Sequence, residues 1–146
     1  MAERATEKLY SPRLLALSAS LADFPLDHPF ELRAEARSRT CGSTIEVGLE
    51  TDAGGAVTRI GMQVSACAVG QSSAAVLASD IRGRTARDVS TALERIERWL
   101  ERGGDPPDWP GFDALLPAQA HSGRHGALLL PWKAVVEALC SGTANR

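Results

Sequence analysis

Between Glu31 and Arg39 every second residue is charged. Glu31, Arg33, Glu35, Arg37 and Arg39 alternate with Leu32, Ala34, Ala36 and Ser38. A repeat of two is that of a β-strand, whose successive side chains point to opposite faces. One face is therefore committed to water and the other, built of small apolar groups, to a core. Two more such stretches follow. Ile45, Val47 and Leu49 share one side of a second strand, and Val57, Ile60, Met62 and Val64 mark a third. Thr51-Asp52-Ala53-Gly54-Gly55 between them has the composition of a hairpin turn. Connections this short join antiparallel neighbours, so a three-stranded antiparallel meander is expected.

After Cys67 the pattern becomes helical. The small residues from Ala68 to Ser79 allow a tightly packed helix that ends near Gly83. Thr85-Ala86-Arg87-Asp88 resembles a capping box with Asp in place of Glu. It opens an amphipathic helix on which Val89, Leu93, Ile96, Trp99 and Leu100 recur at helical spacing, stopped by Gly103-Gly104. Residues 104–118, with Pro106, Pro107, Pro110 and Pro117, read as an ordered loop. A last helix is expected from about Ala127 to Cys140, with Leu128, Trp132, Val135, Val136 and Leu139 inward and Pro131 near its first turn. Upstream, Ser11-Pro12 starts a helix with Leu14, Leu15, Leu17, Ser18 and Leu21 on its inner side, and residues 1–8 are expected to fray. Strands first and helices around them make an α+β fold: a three-stranded antiparallel sheet with an N-terminal helix and C-terminal helices packed on it, as one domain over residues 1–146.

Composition removes several classes of function. The chain has 146 residues, a formal charge of −2 and 23% charged residues, so it lacks the basic footprint of a nucleic-acid binder. No apolar run approaches the roughly 18 residues of a membrane span. Residues 1–8 are charged and carry no signal-peptide core, and three cysteines is an odd number. Reduced thiols in a cytoplasm are expected rather than a disulfide framework.

Two of those cysteines sit where chemistry is expected. Cys41 is followed by Gly42 at a strand end, on a loop with unusual backbone freedom and exposed N–H groups. Cys67 stands where a strand hands over to a helix, and the first turn of a helix offers unpaired N–H groups to an anion. Ser72 and Ser73, one turn later, have hydroxyls for a sulfur or for close packing. His125 precedes the last helix, and imidazole shares zinc readily with thiolate. Arg124 beside it has the charge to pair with a thiolate, a persulfide or an acidic partner. Cys140 is expected half-buried on the last helix, too far along to join these loops, and His28 and His121 have no assignable partner. Trp109 and Trp132 read as packing anchors.

These strings resemble the NifU/IscU/SufU group of iron–sulfur cluster assembly scaffolds over roughly Leu9 to Leu139. Members carry a Cys-Gly-Asp loop, a second Cys at a strand-to-helix junction before a Ser-rich helix start, and a third Cys opening the C-terminal helix. Cys41-Gly42 matches the first, and Cys67 with Ser72-Ser73-Ala74, 26 positions on, matches the second. Arg124 with Trp132-Lys133-Ala134 is similar to the SufU form of the third segment. The long stretch between Cys67 and Arg124 is similar to SufU as well. The chain departs from the family at two ligand positions: the loop Asp is Ser43, and the third Cys falls at Ala127.

The resemblance implies a SufE/NifU-like fold and a scaffold that holds iron, a [2Fe–2S] cluster or zinc. The ligands would be Cys41, Cys67 and His125, with Ser43 a further candidate and Arg124, Ser72 and Ser73 around them. A cysteine desulfurase and cluster-transfer proteins would be its partners, and the chain would be a monomer or weak dimer. Two alternatives stand beside the scaffold. One is a zinc-dependent sulfurtransferase that accepts persulfide on Cys41. The other is a metal-free interaction module that keeps the fold after losing the Asp and Cys positions.

Overall fold

The outer strand starts at Leu32 and ends at Arg37 (β1), because Ser38 turns the chain into a tight loop. The computed structural model describes residues 9–39 and 42–144. β2 covers Thr44–Thr51 and β3 covers Val57–Ser65, in the order β1-β2-β3 with both pairings antiparallel. Ala34 faces Val47, which faces Met62. Partners across an antiparallel ladder share a face, so Leu32, Ala34 and Ala36 join Ile45, Val47 and Leu49 on the inner side. Arg33, Glu35 and Arg37 lie on the outer side with Glu46 and Gln63. The turn after β2 is held by Asp52, whose carboxylate accepts from the Gly54 and Ala56 N–H groups at 2.9 and 3.0 Å.

Among the described residues the longer helices are α1 (Pro12–Ser20), α2 (Ala68–Ser79), α3 (Ala86–Arg102) and α4 (His125–Ala144). α4 crosses the inner face of β1 and β2, and α2 lies between α1 and α4. Nearly all of α2 is buried, from Val69 to Ala78 with only Gln71 half-exposed, which explains why its sequence is small and apolar on every side. α3 begins with the expected capping box: Asp88 N–H donates to Thr85 Oγ1, and the Thr85 N–H to the Asp88 carboxylate at 2.9 Å. Val89, Ile96 and Trp99 are buried, as their spacing implies.

Four expectations are revised. Leu15 is exposed, because the face that α1 turns to α2 buries Leu14 completely and leaves Leu15, the next position round the helix, outside it. The proline-rich stretch is not all loop: Phe112–Ala120 winds into 3₁₀ turns, which proline's fixed φ permits. α4 begins two residues early, at His125, so Pro131 lies in its second turn and is buried there. His28 does have partners. Its ring lies 3.0 Å from the Asp27 carboxylate and 3.3 Å from that of Glu50, and stacks on Phe30 at 4.0 Å. Its hydrogen bond holds the Asp27 carboxyl below the usual range.

The core is tied by indoles. Trp109 and Trp132 meet edge to face at 4.9 Å, and Phe112 adds a third ring 6.2 Å from Trp132. The Trp109 indole N–H donates to the Val76 carbonyl at 3.0 Å.

Candidate functional site

One end of the sheet gathers the chain segments that carry the candidate residues. β1 and β2 are joined there by the loop Ser38–Ser43. The Ser38 N–H donates to the Ser43 carbonyl at 2.8 Å, and the Gly42 N–H to the Ser38 carbonyl at 3.2 Å. Gly42 has φ +72°, a conformation that side-chain-bearing residues rarely adopt, which is why glycine stands there. Ser43 is buried rather than presented to solvent. Thr40 and Cys41 lie outside the described residues.

Thr44 pairs with Ser65, so the loop and the exit of β3 lie side by side. Two residues past Ser65, Cys67 is the N-cap of α2, with extended backbone (φ −66°, ψ 171°). Its carbonyl accepts the first helical bond, from Gln71 N–H at 3.0 Å. The thiol makes no capping bond, is half-buried and forms no disulfide. The first-turn N–H groups of α2 have no helical acceptor and point back toward this residue.

The first turn of α4 meets the first turn of α2. A Cβ built on Gly70 would come 2.8 Å from Ala66 Cβ and 3.3 Å from both the Cβ and the carbonyl of Ala127. Ala127 is thus the neighbour of the turn that Cys67 caps, and its methyl is buried. The position where the resemblance puts a third cysteine is therefore spatially adjacent, but the group there is apolar and cannot ligate.

His125, the first residue of α4, is half-buried. Its Nε2 lies 2.8 Å from the Gln119 carbonyl. A carbonyl only accepts, so Nε2 carries the proton and Nδ1 is left as the lone-pair nitrogen of the neutral ring. Gln119 is itself fixed, its side-chain amide donating to the Trp99 carbonyl at 3.0 Å. A proton on the remote nitrogen, bonded to a carbonyl, is how ligating histidines are commonly oriented. Gln119 gives no signal of this in the sequence, because a main-chain atom does the work. Arg124 closes the short 3₁₀ turn Ser122–Arg124, and its guanidinium pairs with no described carboxylate.

Ser72 and Ser73 sit elsewhere than a sulfur-facing role requires. Both are fully buried. The Ser72 hydroxyl donates to the Leu14 carbonyl at 2.7 Å, and the Ser73 hydroxyl to the Leu128 carbonyl at 2.6 Å. Ser73 Oγ also accepts from the Trp132 indole N–H at 2.9 Å. They fasten α2 to α1 and α4, with both hydroxyl protons given to main-chain carbonyls. Cys140 is exposed on α4, not half-buried.

Beside this end, a groove of about 560 Å³ opens on the charged face of the sheet, lined by Glu35, Arg37, Thr44, Glu46, Gln63 and Ser65. Among the described residues no three His, Cys, Asp or Glu side chains converge as a metal cage. The described donors are one thiol and one imidazole nitrogen. A thiolate and an imidazole nitrogen are both donors of the kind that zinc and iron accept.

No family model matches the sequence, and no curated protein does. Solved structures do. The chain is similar to the N-terminal part of a nitrogen-fixing NifU-like protein from Brucella abortus, with a TM-score of 0.89 and 26% identity over 97% of this chain and 99% of that one. It is also similar to a protein described as an iron–sulfur cluster assembly scaffold for the SUF system of the thermophile Fervidobacterium islandicum AW-1. There the TM-score is 0.74 at 20% identity, over 90% and 96% of the two chains. A third structure, of a protein of undescribed function, gives 0.65 at 16% identity. The sheet with its packed helices is the NifU-like α+β fold.

Proposed function

We propose, for a chain that carries the NifU/IscU/SufU-type fold over nearly its whole length, a scaffold that holds a labile iron, [2Fe–2S] or zinc cargo at the sheet end. Cys41 and Cys67 supply thiolates, and His125 binds through Nδ1. One observation carries the reading. The Ser38–Ser43 loop, the β3 exit and the start of α2 adjoin at one end of the sheet, where the first turn of α4 meets α2. A site with three protein donors keeps a coordination position open, as transfer of a cargo requires, whereas closed four-ligand sites are structural. Exposure of such a site favours release over retention. A cysteine desulfurase and cluster-accepting proteins are the partners of this reading, the cytoplasm its compartment and residues 1–146 its single domain.

A second reading is favoured by Ala127 and Ser43. Both are buried, and Ala127 has no donor atom, so the fold would serve as an interaction module without metal. Persulfide acceptance at Cys41 is the enzymatic variant and needs only one nucleophilic thiolate.

Metal content decides between them. Protein purified without chelators should carry zinc or iron near stoichiometrically. Cys67→Ala should abolish it, and His125→Ala should lower it at least severalfold. Full occupancy in His125→Ala alongside loss in Cys67→Ala would remove His125 from the ligand set. Absence of metal from the unmodified protein, even after anaerobic reconstitution, would leave the interaction module or the persulfide acceptor.

A further inference from the structure

The two edges of the sheet differ. The outer edge of β3 is covered: the Met62 N–H donates to the Phe24 carbonyl at 2.9 Å, and Pro25 bridges to Met62. The outer edge of β1 has no strand on it among the described residues. An open edge offers a row of backbone donors and acceptors to any extended segment. Its side chains decide which segment is welcome.

Along β1 the charges read Arg33, Glu35, Arg37, all on the outer face and all exposed, and the exposed Glu31 precedes the strand. This row is self-complementary about Ala34. When a second β1 runs antiparallel with Ala34 opposite Ala34, Arg33 faces Glu35 of the second copy and Glu35 faces its Arg33. Glu31 and Arg37 then stand opposite each other at both ends. On the inner face Leu32 meets Ala36, both half-buried in the single chain. A shift by two residues in either direction puts like charges opposite, Arg33 against Arg37 with Glu35 against Glu35, or Arg33 against Arg33 with Glu31 against Glu35. Directly opposed like charges destabilise a ladder and opposite charges stabilise it, so the row favours this register over its two nearest face-preserving neighbours, and shifts of four residues leave a shorter overlap.

We infer that β1 is a self-recognition edge, at which two copies of this chain pair antiparallel about Ala34 into a continuous six-stranded sheet. The interface is isologous and closed, so it makes dimers and not filaments. The β1–β2 loops of the two copies then lie at opposite ends of the paired β1 strands. The inference stands independently of any metal.

The test is a charge-reversal mixture followed by sedimentation equilibrium on the full chain. The unmodified protein should show a concentration-dependent monomer–dimer equilibrium that weakens with added salt. Glu35→Arg alone opposes two arginines at each central pair and should weaken the dimer by about tenfold or more, and Arg33→Glu alone should do the same by opposing two glutamates. An equimolar mixture of the two variants restores opposite charges at both central pairs and should regain a dimer that neither variant forms alone. Arg33 also pairs with Glu46 in its own chain, so a second readout is needed. In the unmodified protein, amide resonances of Leu32–Arg37 should shift with concentration while those of Val57–Ser65 stay fixed. A protein that stays monomeric at every concentration it tolerates overturns the inference. So does a dimer indifferent to both reversals, a mixture that fails to reassociate, or concentration-dependent shifts that avoid β1.

Discussion

The seam between α2 and α4 and the sheet end just beyond it are a few residues apart and are built on opposite terms. In the seam every polar group is answered. Ser73 serves the Leu128 carbonyl and the Trp132 indole at once, and no buried side-chain nitrogen or oxygen among the described residues lacks a partner. At the sheet end the Cys67 thiol makes no capping bond, and at the start of α4 one nitrogen of His125 has a hydrogen-bond partner. The difference teaches where rigidity is placed. Helix starts are locked from behind by buried contacts, so that groups at their tips are held in position and left unsatisfied. A group with spare coordination on a rigid mount is suited to binding.

This contrast breaks first at Trp132. Its side chain is fully buried and touches two other aromatic rings, so Trp132→Ala should cost about 3–5 kcal/mol. Chemical denaturation should show an earlier midpoint or outright failure to fold. A loss below about 1 kcal/mol would mean that the seam is not what holds the helices.

Gly70 belongs to both regions. Gly70→Ala drives a methyl to 2.8 Å from Ala66 and 3.3 Å from Ala127, which displaces the entry to α2 and crowds the start of α4 at a cost of about 1–3 kcal/mol. Metal occupancy should fall with stability in this variant. By contrast, Cys67→Ala should lose metal with little change in the stability of the metal-free chain. Unaltered metal binding in a destabilised Gly70→Ala would show that the helix starts do not position the site.

The smallest effect is expected far from both. Arg13 on α1 grips Asp113 of the 3₁₀ segment with two hydrogen bonds, one of them 2.9 Å, and both side chains are exposed. The Arg13 guanidinium holds the Asp113 carboxyl below the usual range. A carboxylate with a depressed folded value stabilises above its unfolded value, about 3.9, and loses that contribution as pH falls through the folded one. Asp113→Asn should therefore lower Tm slightly at pH 7, and the difference should vanish in stronger acid. Solvent and salt screen such pairs, so a large drop would mean that α1 depends on this contact more than on Leu14.

The sheet was legible because alternation reports its two faces directly, and Glu31 to Arg39 alternates without a break. The start of α3 was legible because Thr85 and Asp88 act locally, three positions apart. Leu15 was misread because a helical stripe cannot say how deeply a short helix sinks. The early start of α4 was missed because His125 passes straight from a 3₁₀ turn into the helix with φ −62° and ψ −41°. Ser72 and Ser73 were the least legible. Their acceptors, Leu14 and Leu128, lie 58 and 55 positions away, and only the fold brings them together. Among the candidate residues, motif spacing pointed to Cys41 and Cys67, and His125 was singled out only as the ligand-capable side chain nearest to Ala127, whereas the Gln119 carbonyl that holds its ring could be found only in three dimensions.

The most direct test is X-ray absorption at the zinc edge of the zinc-loaded protein. Two sulfurs at about 2.3 Å and one imidazole nitrogen at about 2.0 Å, with a light oxygen atom completing the set, is the predicted shell. The nitrogen should disappear in His125→Ala and one sulfur in Cys67→Ala. A shell of oxygens and nitrogens without sulfur, or four sulfurs shared between copies, would contradict an open mixed-donor site at the sheet end.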